Sequence, residues 1–286
     1  MVRVSYERLS SVSEAISGLG LEGVLRLEEE YDPQYAALQR LSRSVGRGAA
    51  AVYAALVASV SYRLAMRGEE WWACASDYLS SRPGPRDVGE ALHNVERFLA
   101  DCRGAAIARE AKISRVRRLA SGARELLGRV MKEPDLPLRD PGAVHDGIAR
   151  ALGSRRELKT VSFAVKMAYY AARPQGAMQP LKYPLPMPVD VRVACVSVTS
   201  GVVVVEGTYR DLVRSPGPAQ TAWSEVSRLS GVPTAHIDSL LWVVGWAPRD
   251  LPQPEAVRAI EDILSRVSPR EVASRVAREL AYAPCR

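Results

Sequence analysis

Apolar residues recur along this chain at intervals of three and four, the spacing that lays one stripe along an α-helix, and Gly and Pro cut the stripes short. The pattern predicts helices over about residues 10–19, 21–30, 33–45, 47–65, 69–80, 86–102, 105–131, 141–152, 158–172, 190–200, 216–229, 234–245, 254–266 and 268–281. In 105–131, Ile113, Val116, Leu119, Ala120, Ala123, Leu127 and Val130 line one side, while Lys112, Arg115, Arg118 and Arg129 fall elsewhere. That is an amphipathic helix with a basic face. Val191 to Val205 resists the pattern: it is rich in β-branched residues, with Val202 to Val205 in a row, and propensity alone would make it strand. Its first half is read as helix. No repeat of 20–50 residues is visible, and the Pro-rich span 174–188 reads as a stiff join between two packed units.

Composition narrows the class. The 286 residues are 47% apolar and 25% charged, which excludes disorder and collagen-like repeats. No apolar run approaches the roughly 18 residues of a membrane span, and the N-terminus lacks the apolar stretch of a signal peptide. The expectation is a cytoplasmic, chromosome-associated protein with no membrane partner. Net charge is +7, from 39 basic and 32 acidic residues, favouring an anionic partner, with nucleic acid foremost. The basic residues are 34 Arg and 5 Lys, and Asn94 is the single Asn; scarce thermolabile amides suggest a hot-living source. Cys74, Cys102, Cys195 and Cys285 lie 28, 93 and 90 residues apart, which fits neither a Cys-x-x-Cys pair nor an iron–sulfur spacing. His93, His145 and His236 are equally scattered and read as ordinary core or surface residues.

The segment Ala149-Arg-Ala-Leu-Gly153-Ser154-Arg155-Arg156-Glu-Leu-Lys159-Thr carries the most chemistry. One helix ends at Gly153, a short basic turn follows, and a second helix begins near Leu158. Backbone N–H groups at such a turn and helix start are expected to point outward unpaired, able to hold a phosphate. On the second helix Lys159, Phe163 and Lys166 fall within about 60° of one another, opposite Val161, Val165, Ala168 and Ala172. The Val/Ala side is core; the other is either a solvated basic face or the wall of a cleft. At the first turn Lys159 meets the positive end of the helix dipole, with Arg155, Arg156 and Lys166 nearby, fields that favour the neutral amine a nucleophile needs. Downstream, Asp190 in Pro186-Met-Pro188-Val-Asp190-Val-Arg stands where a helix starts. It reads as a plain N-cap, or as a cap whose free oxygen serves an amine nucleophile. Asp238 and Trp242 are i, i+4 on one face, with Ile237, Leu240, Leu241 and Val244 gathered elsewhere as core. Trp242 is either packing or, with Phe163, a stacking surface for a flipped purine.

Helix–hairpin–helix with Lys-Thr after the hairpin, then a Gly/Pro-rich span and Pro-Val-Asp, resembles the helix-hairpin-helix DNA glycosylases. More closely, the chain is similar to the archaeal 8-oxoguanine (GO) DNA glycosylase/lyases, the AGOG family. The pieces that carry this are Tyr31-Asp-Pro-Gln34-Tyr, Ser61-Tyr-Arg-Leu, Gly68-Glu-Glu-Trp-Trp72, Leu158-Lys159-Thr with Phe163 and Lys166, Pro186-Met-Pro-Val-Asp190, and His236-Ile-Asp238-Ser-Leu-Leu-Trp242. The resemblance implies an all-α protein of two helical subdomains, 66–183 with the hairpin at about 149–160, and 1–65 plus 184–286, with the active site in the cleft between them. It implies a monomer acting on damaged DNA that contains 8-oxoguanine, with no cofactor or metal. Lys159 would be the Schiff-base nucleophile and Asp190 its carboxylate partner. Gln34, Ser61, Trp72, Phe163, Lys166, Pro188, Asp238 and Trp242 would line the base pocket, and Gly153, Ser154, Arg155 and Arg156 would meet the DNA backbone. The hairpin lacks the Leu-Pro-Gly-Val-Gly of most helix-hairpin-helix relatives, and the segment after about residue 247 matches no motif.

Three other readings compete with this one. A non-catalytic helix-hairpin-helix DNA-binding module has no use for Lys159 and Asp190. A Schiff-base enzyme acting on a small carbonyl compound does not need the basic hairpin. A helical interaction protein explains neither feature.

Overall fold

The computed structural model describes residues 2–285, which divide into two compact units: Pro33–Leu181, and residues 2–32 together with 182–285. The fold is all-α apart from one short ribbon, and among the described residues no helix is long and apolar enough to cross a membrane.

The continuous unit holds α2 (Pro33–Val45), α3 (Arg47–Ser59), α4 (Gly68–Ser80), α5 (Val88–Asp101), α6 (Arg109–Gly122), α7 (Arg124–Lys132), α8 (Leu136–Arg139), α9 (Pro141–Ala151) and α10 (Lys159–Ala172). Its axis is α3 packed on α10. After Arg47 every residue of α3 is buried, and so is every residue of α10 from Ala164 onward. Helix α3 after its first residue, and α10 from Ala164 on, are rich in Ala and aromatic or aliphatic residues, the composition of helices enclosed on all sides. The exposed end that such a helix would leave is closed by α2. Gln39 Nε2 donates to the carbonyls of Tyr170 (2.8 Å) and Arg173 (3.1 Å), and Ser42 Oγ to that of Ala171 (2.6 Å). Those carbonyls are among the orphans of a helix C-terminus.

The discontinuous unit holds α1 (Tyr6–Tyr31), α11 (Val191–Thr199), α12 (Arg210–Arg214), α13 (Gly217–Ser230), α14 (Thr234–Val244), α15 (Trp246–Asp250), α16 (Gln253–Leu264) and α17 (Arg270–Leu280). Helix α1 packs against α13, α14 and α17. It is broken at Gly20, whose φ of 69° and ψ of 166° only glycine adopts readily, so the two helices expected there form one run with a kink. The Val-rich stretch divides as its two tendencies suggest. Val191–Thr199 is helix, and Val203–Val205 is a strand, β2, paired antiparallel with β1 (Val2–Val4). A disulfide joins Cys195 in α11 to Cys285.

Two expectations are corrected. Residues 33–65 do not accompany 1–32; α2 and α3 build the core of the other unit, so the unit boundary falls at Pro33 instead of residue 66. And 105–131 is not one helix, because it breaks between α6 and α7 at Ala123. Its basic side is partly internal: Lys112 is buried with Nζ donating to the Arg63 carbonyl (3.2 Å), and Arg115 donates to the Ser59 carbonyl (2.9 Å) and to Thr160 Oγ1 (3.0 Å). Burial pushes both of these cations below their ordinary pKa. The carbonyl at the end of α3 holds Arg115, and that of Arg63, in the loop after α3, holds Lys112.

Candidate active site

The hairpin between α9 and α10 is built by hydrogen bonds that sequence does not show. Gly153 has φ 57°, and its N–H donates to the Arg150 carbonyl (3.0 Å) while that of Ser154 donates to the Ala149 carbonyl (2.9 Å), a Schellman closure of α9. The amides of Gly153 and Ser154 are therefore engaged rather than open, contrary to expectation. In the turn and at the start of α10, the amides of Arg155, Lys159 and Thr160 have no acceptor among the described residues. His145 Nε2 lies 2.9 Å from the Arg156 carbonyl, which also accepts from Ser162 Oγ (3.2 Å), so one carbonyl ties the turn to both helices. Burial pushes the His145 imidazole below its ordinary pKa. Outside this anchor the turn is basic: Arg155 is exposed, and Arg156 is also exposed but pairs with Asp146 (3.1 Å).

Lys159 is the first residue of α10, after N-cap Leu158, and is half-buried. One turn on, Phe163 is also half-buried and meets Trp72 edge-on, with centroids 6.0 Å apart and planes at 68°. Val161, Val165, Ala168 and Ala172 face the core as expected. Lys166 does not belong to a solvated face: it is 1% exposed, with Nζ 5.2 Å from the Tyr170 ring centroid. Of the adjacent tryptophans, Trp71 is packing. It sits on Phe98 (4.9 Å) and donates its Nε1 to Ser61 Oγ (2.9 Å), while Ser61 in turn donates to the Val57 carbonyl (2.9 Å). Trp72 is buried beside Phe163, and Gln34 is buried in the first turn of α2.

Within the discontinuous unit, Asp190 caps α11. Its Oδ1 accepts from the amides of Arg192 (2.9 Å) and Val193 (3.0 Å), and its Oδ2 has no hydrogen-bond partner among the described residues. A cap that needs only one oxygen leaves the other for chemistry. Pro188, two residues before, is buried and its ring stiffens the approach. Arg192 joins this carboxylate to the aromatic. Its Nη1 donates to the Trp242 carbonyl (2.8 Å), and its guanidinium carbon lies 4.0 Å from the centroid of the indole. Trp242 is half-buried, with its Nε1 unpartnered among the described residues; Asp238, one turn earlier on α14, is buried. Ile237, Leu240, Leu241 and Val244 fill the core as expected.

Sequence reasoning missed two supports. Arg192 stood inside the Pro-Val-Asp-Val-Arg piece, and its spacing from Asp190 was the available signal. The other is the buried carboxylate of Glu28 on α1. It meets His236 Nδ1 (2.6 Å) and accepts from Ser239 Oγ (2.7 Å), fixing the register of α14 and so the direction of Asp238 and Trp242. Nothing in the local sequence marks Glu28, 208 positions from His236.

The continuous unit thus offers an amine at a helix start beside a basic turn and an aromatic face, and the discontinuous unit offers a carboxylate with a spare oxygen and a second aromatic face. Comparison with known proteins gives concordant results. The family model described as AGOG, N-glycosylase/DNA lyase, matches residues 13–278. An N-glycosylase/DNA lyase of Aeropyrum pernix is 49% identical over 284 residues, covering 99% of this chain and 98% of its own length. Another from Thermococcus kodakarensis is 30% identical, covering 87% and 90%. A crystal structure of an 8-oxoguanine DNA glycosylase from Pyrobaculum aerophilum, complexed with 8-oxoguanosine, superposes with a TM-score of 0.76 at 28% identity over 99% of both chains.

Proposed function

This chain belongs to the AGOG family of N-glycosylase/DNA lyases, and from that footing we propose that it excises 8-oxoguanine from DNA through a Schiff base on Lys159 and then cuts the strand by β-elimination. The basic hairpin holds the DNA backbone with Arg155, Arg156 and the open amides of the α10 start. The oxidised guanine leaves the stack and is received by Phe163 and Trp242 as stacking faces, with Gln34 and Asp238 reading its polar edge. Ser61, Trp72, Lys166 and Pro188 complete the pocket.

Lys159, as the free amine, attacks the anomeric carbon C1′. The C1′–N9 bond breaks, its electron pair leaves with the base, and the base takes up a proton. Asp190 offers Oδ2 to the lysine proton and to the positive charge that builds on the sugar. In the resulting adduct the C1′–O4′ bond breaks, O4′ leaves as a hydroxyl that takes up a proton, and the nitrogen lone pair forms an iminium between Nζ and C1′. Loss of a C2′ proton then expels the 3′ phosphate, breaking the strand, and water releases the lysine. A lysine nucleophile combines base release with strand cleavage because it stays bonded to C1′ after the base departs. Every group in this scheme comes from one chain, so a monomer suffices for it.

The observation that carries the proposal is the placement of Lys159 as the first residue of the helix that follows a basic hairpin. The test is cleavage of duplexes bearing a single 8-oxoguanine, guanine, uracil or abasic site, with borohydride added to trap the imine. Preferential cleavage and trapping on the 8-oxoguanine duplex is the expected result. Preferential cleavage at uracil would overturn the substrate assignment.

A further inference from the structure

The two cysteines outside the Cys195–Cys285 disulfide both lie in the continuous unit, and they meet. Cys74 is half-buried in the middle of α4; Cys102 is the C-cap of α5 and 5% exposed. They are 28 residues apart in sequence, yet their Sγ atoms are 3.3 Å apart. Neither thiol has another polar partner among the described residues. Their setting is firm: the Cys102 amide donates to the Phe98 carbonyl (2.8 Å), and Phe98 is held between Trp71 and Tyr78.

Two thiols this close suit a bound metal or a covalent bond. A metal needs a fuller ligand set, and among the described residues no group of three or more Cys, His, Asp or Glu side chains could hold one. We propose that Cys74 and Cys102 form a second disulfide, so that each unit carries one covalent staple. This bond would tie α4, which bears Trp72 two residues before Cys74, to the end of α5.

The oxidant is a small disulfide, R–S–S–R. The thiolate of one cysteine, Cys74 being the more accessible, attacks it to give a mixed disulfide and one R–SH. The other cysteine then attacks the protein sulfur of that mixed disulfide, releasing the second R–SH. Both cysteine protons leave with the small thiols; the protein sulfurs are oxidised and the small disulfide is reduced. In the folded dithiol, burial first and the neighbouring Cys102 second push the Cys74 thiol up to about 12, leaving little thiolate at neutral pH. Exchange is therefore expected to be slow in the native state and to proceed as the chain folds. A cellular setting that sustains Cys195–Cys285 would sustain this bond as well.

The test is thiol labelling of the full chain under denaturing conditions, followed by peptide mapping. One sample is taken as purified without reductant, and one after refolding from denaturant with glutathione disulfide. A peptide pair joined through Cys74 and Cys102 in either sample supports the proposal. Linked protein should also melt about 5–10 °C above a Cys74→Ser variant, as expected for a loop of this length. Free Cys74 and Cys102 in both samples, or linkage of either to Cys195 or Cys285, would overturn it.

Discussion

Asp190 divides its work between two oxygens, one closing α11 and the other open, so its two roles can be separated experimentally. The amide of Asp190→Asn still accepts the Arg192 and Val193 amides but cannot take a proton from Lys159. Turnover should fall by about two to four orders of magnitude, the usual worth of a positioned acid–base group, while the melting temperature changes little. A melting temperature that collapses together with activity would make Asp190 a structural cap alone. Trp242 invites a second test, because stacking is worth about 1–3 kcal/mol per base. Trp242→Ala should lower the preference for 8-oxoguanine over guanine by about tenfold or more, measured as the ratio of duplex affinities, without altering its salt dependence. At this scale the sequence reveals groups whose meaning is local. Lys159 follows a visible hairpin, and Asp190 precedes a visible helix start. Lys166 is another matter: its position on α10 gives the correct angle, but only the packing around that helix buries it. Arg192 and Glu28 acquire their roles from partners 50 and 208 residues away.

The hairpin works as an element because α9 and α10 share one anchor, the Arg156 carbonyl. His145 supplies that anchor from a buried position that disfavours its charged form. Above about pH 6.5 the imidazole is neutral in both folded and unfolded chains. As pH falls below that value the unfolded chain binds a proton that the folded hairpin resists, so stability is lost on acidification. Hydrogen exchange at the start of α10 should therefore slow less between about pH 7 and pH 5 than the falling intrinsic rate requires, leaving an excess of exchange that reports opening of the hairpin. His145→Gln should remove that excess; an excess that survives the substitution would place its cause elsewhere. Helical periodicity located most elements, including the break at Gly20, because amphipathic stripes and glycines are local signals. It failed at Ala123, where the apolar stripe runs on from α6 into α7 although the backbone breaks, and it gave no sign that Lys112 and Arg115 turn inward to the carbonyls of Arg63 and Ser59.

Over the whole molecule, the net charge of +7 matters only where it is presented to DNA. Many arginines are engaged within the protein, as Arg8 is by Glu279 (2.6 Å) and Arg47 by Asp135 (2.9 Å). Arg155 and Arg156 in the hairpin are exposed, and replacing both with Ala should flatten the log–log dependence of undamaged-duplex affinity on salt by about two. An unchanged slope would move the DNA-backbone contacts off the hairpin. The division into two units was legible from the Pro-rich span near residue 181, whereas the earlier crossing at Pro33 was not. There a single residue, Asp32, separates α1 from α2, and the packing of α2 and α3 with α10 decides the boundary. The central claim is that Lys159 is the nucleophile, and borohydride trapping on an 8-oxoguanine duplex tests it most directly. The natural chain should form a covalent adduct whose modified peptide contains Lys159, and Lys159→Gln should form none while binding undamaged duplex within about twofold of the natural chain. An adduct of undiminished yield in Lys159→Gln would contradict the account.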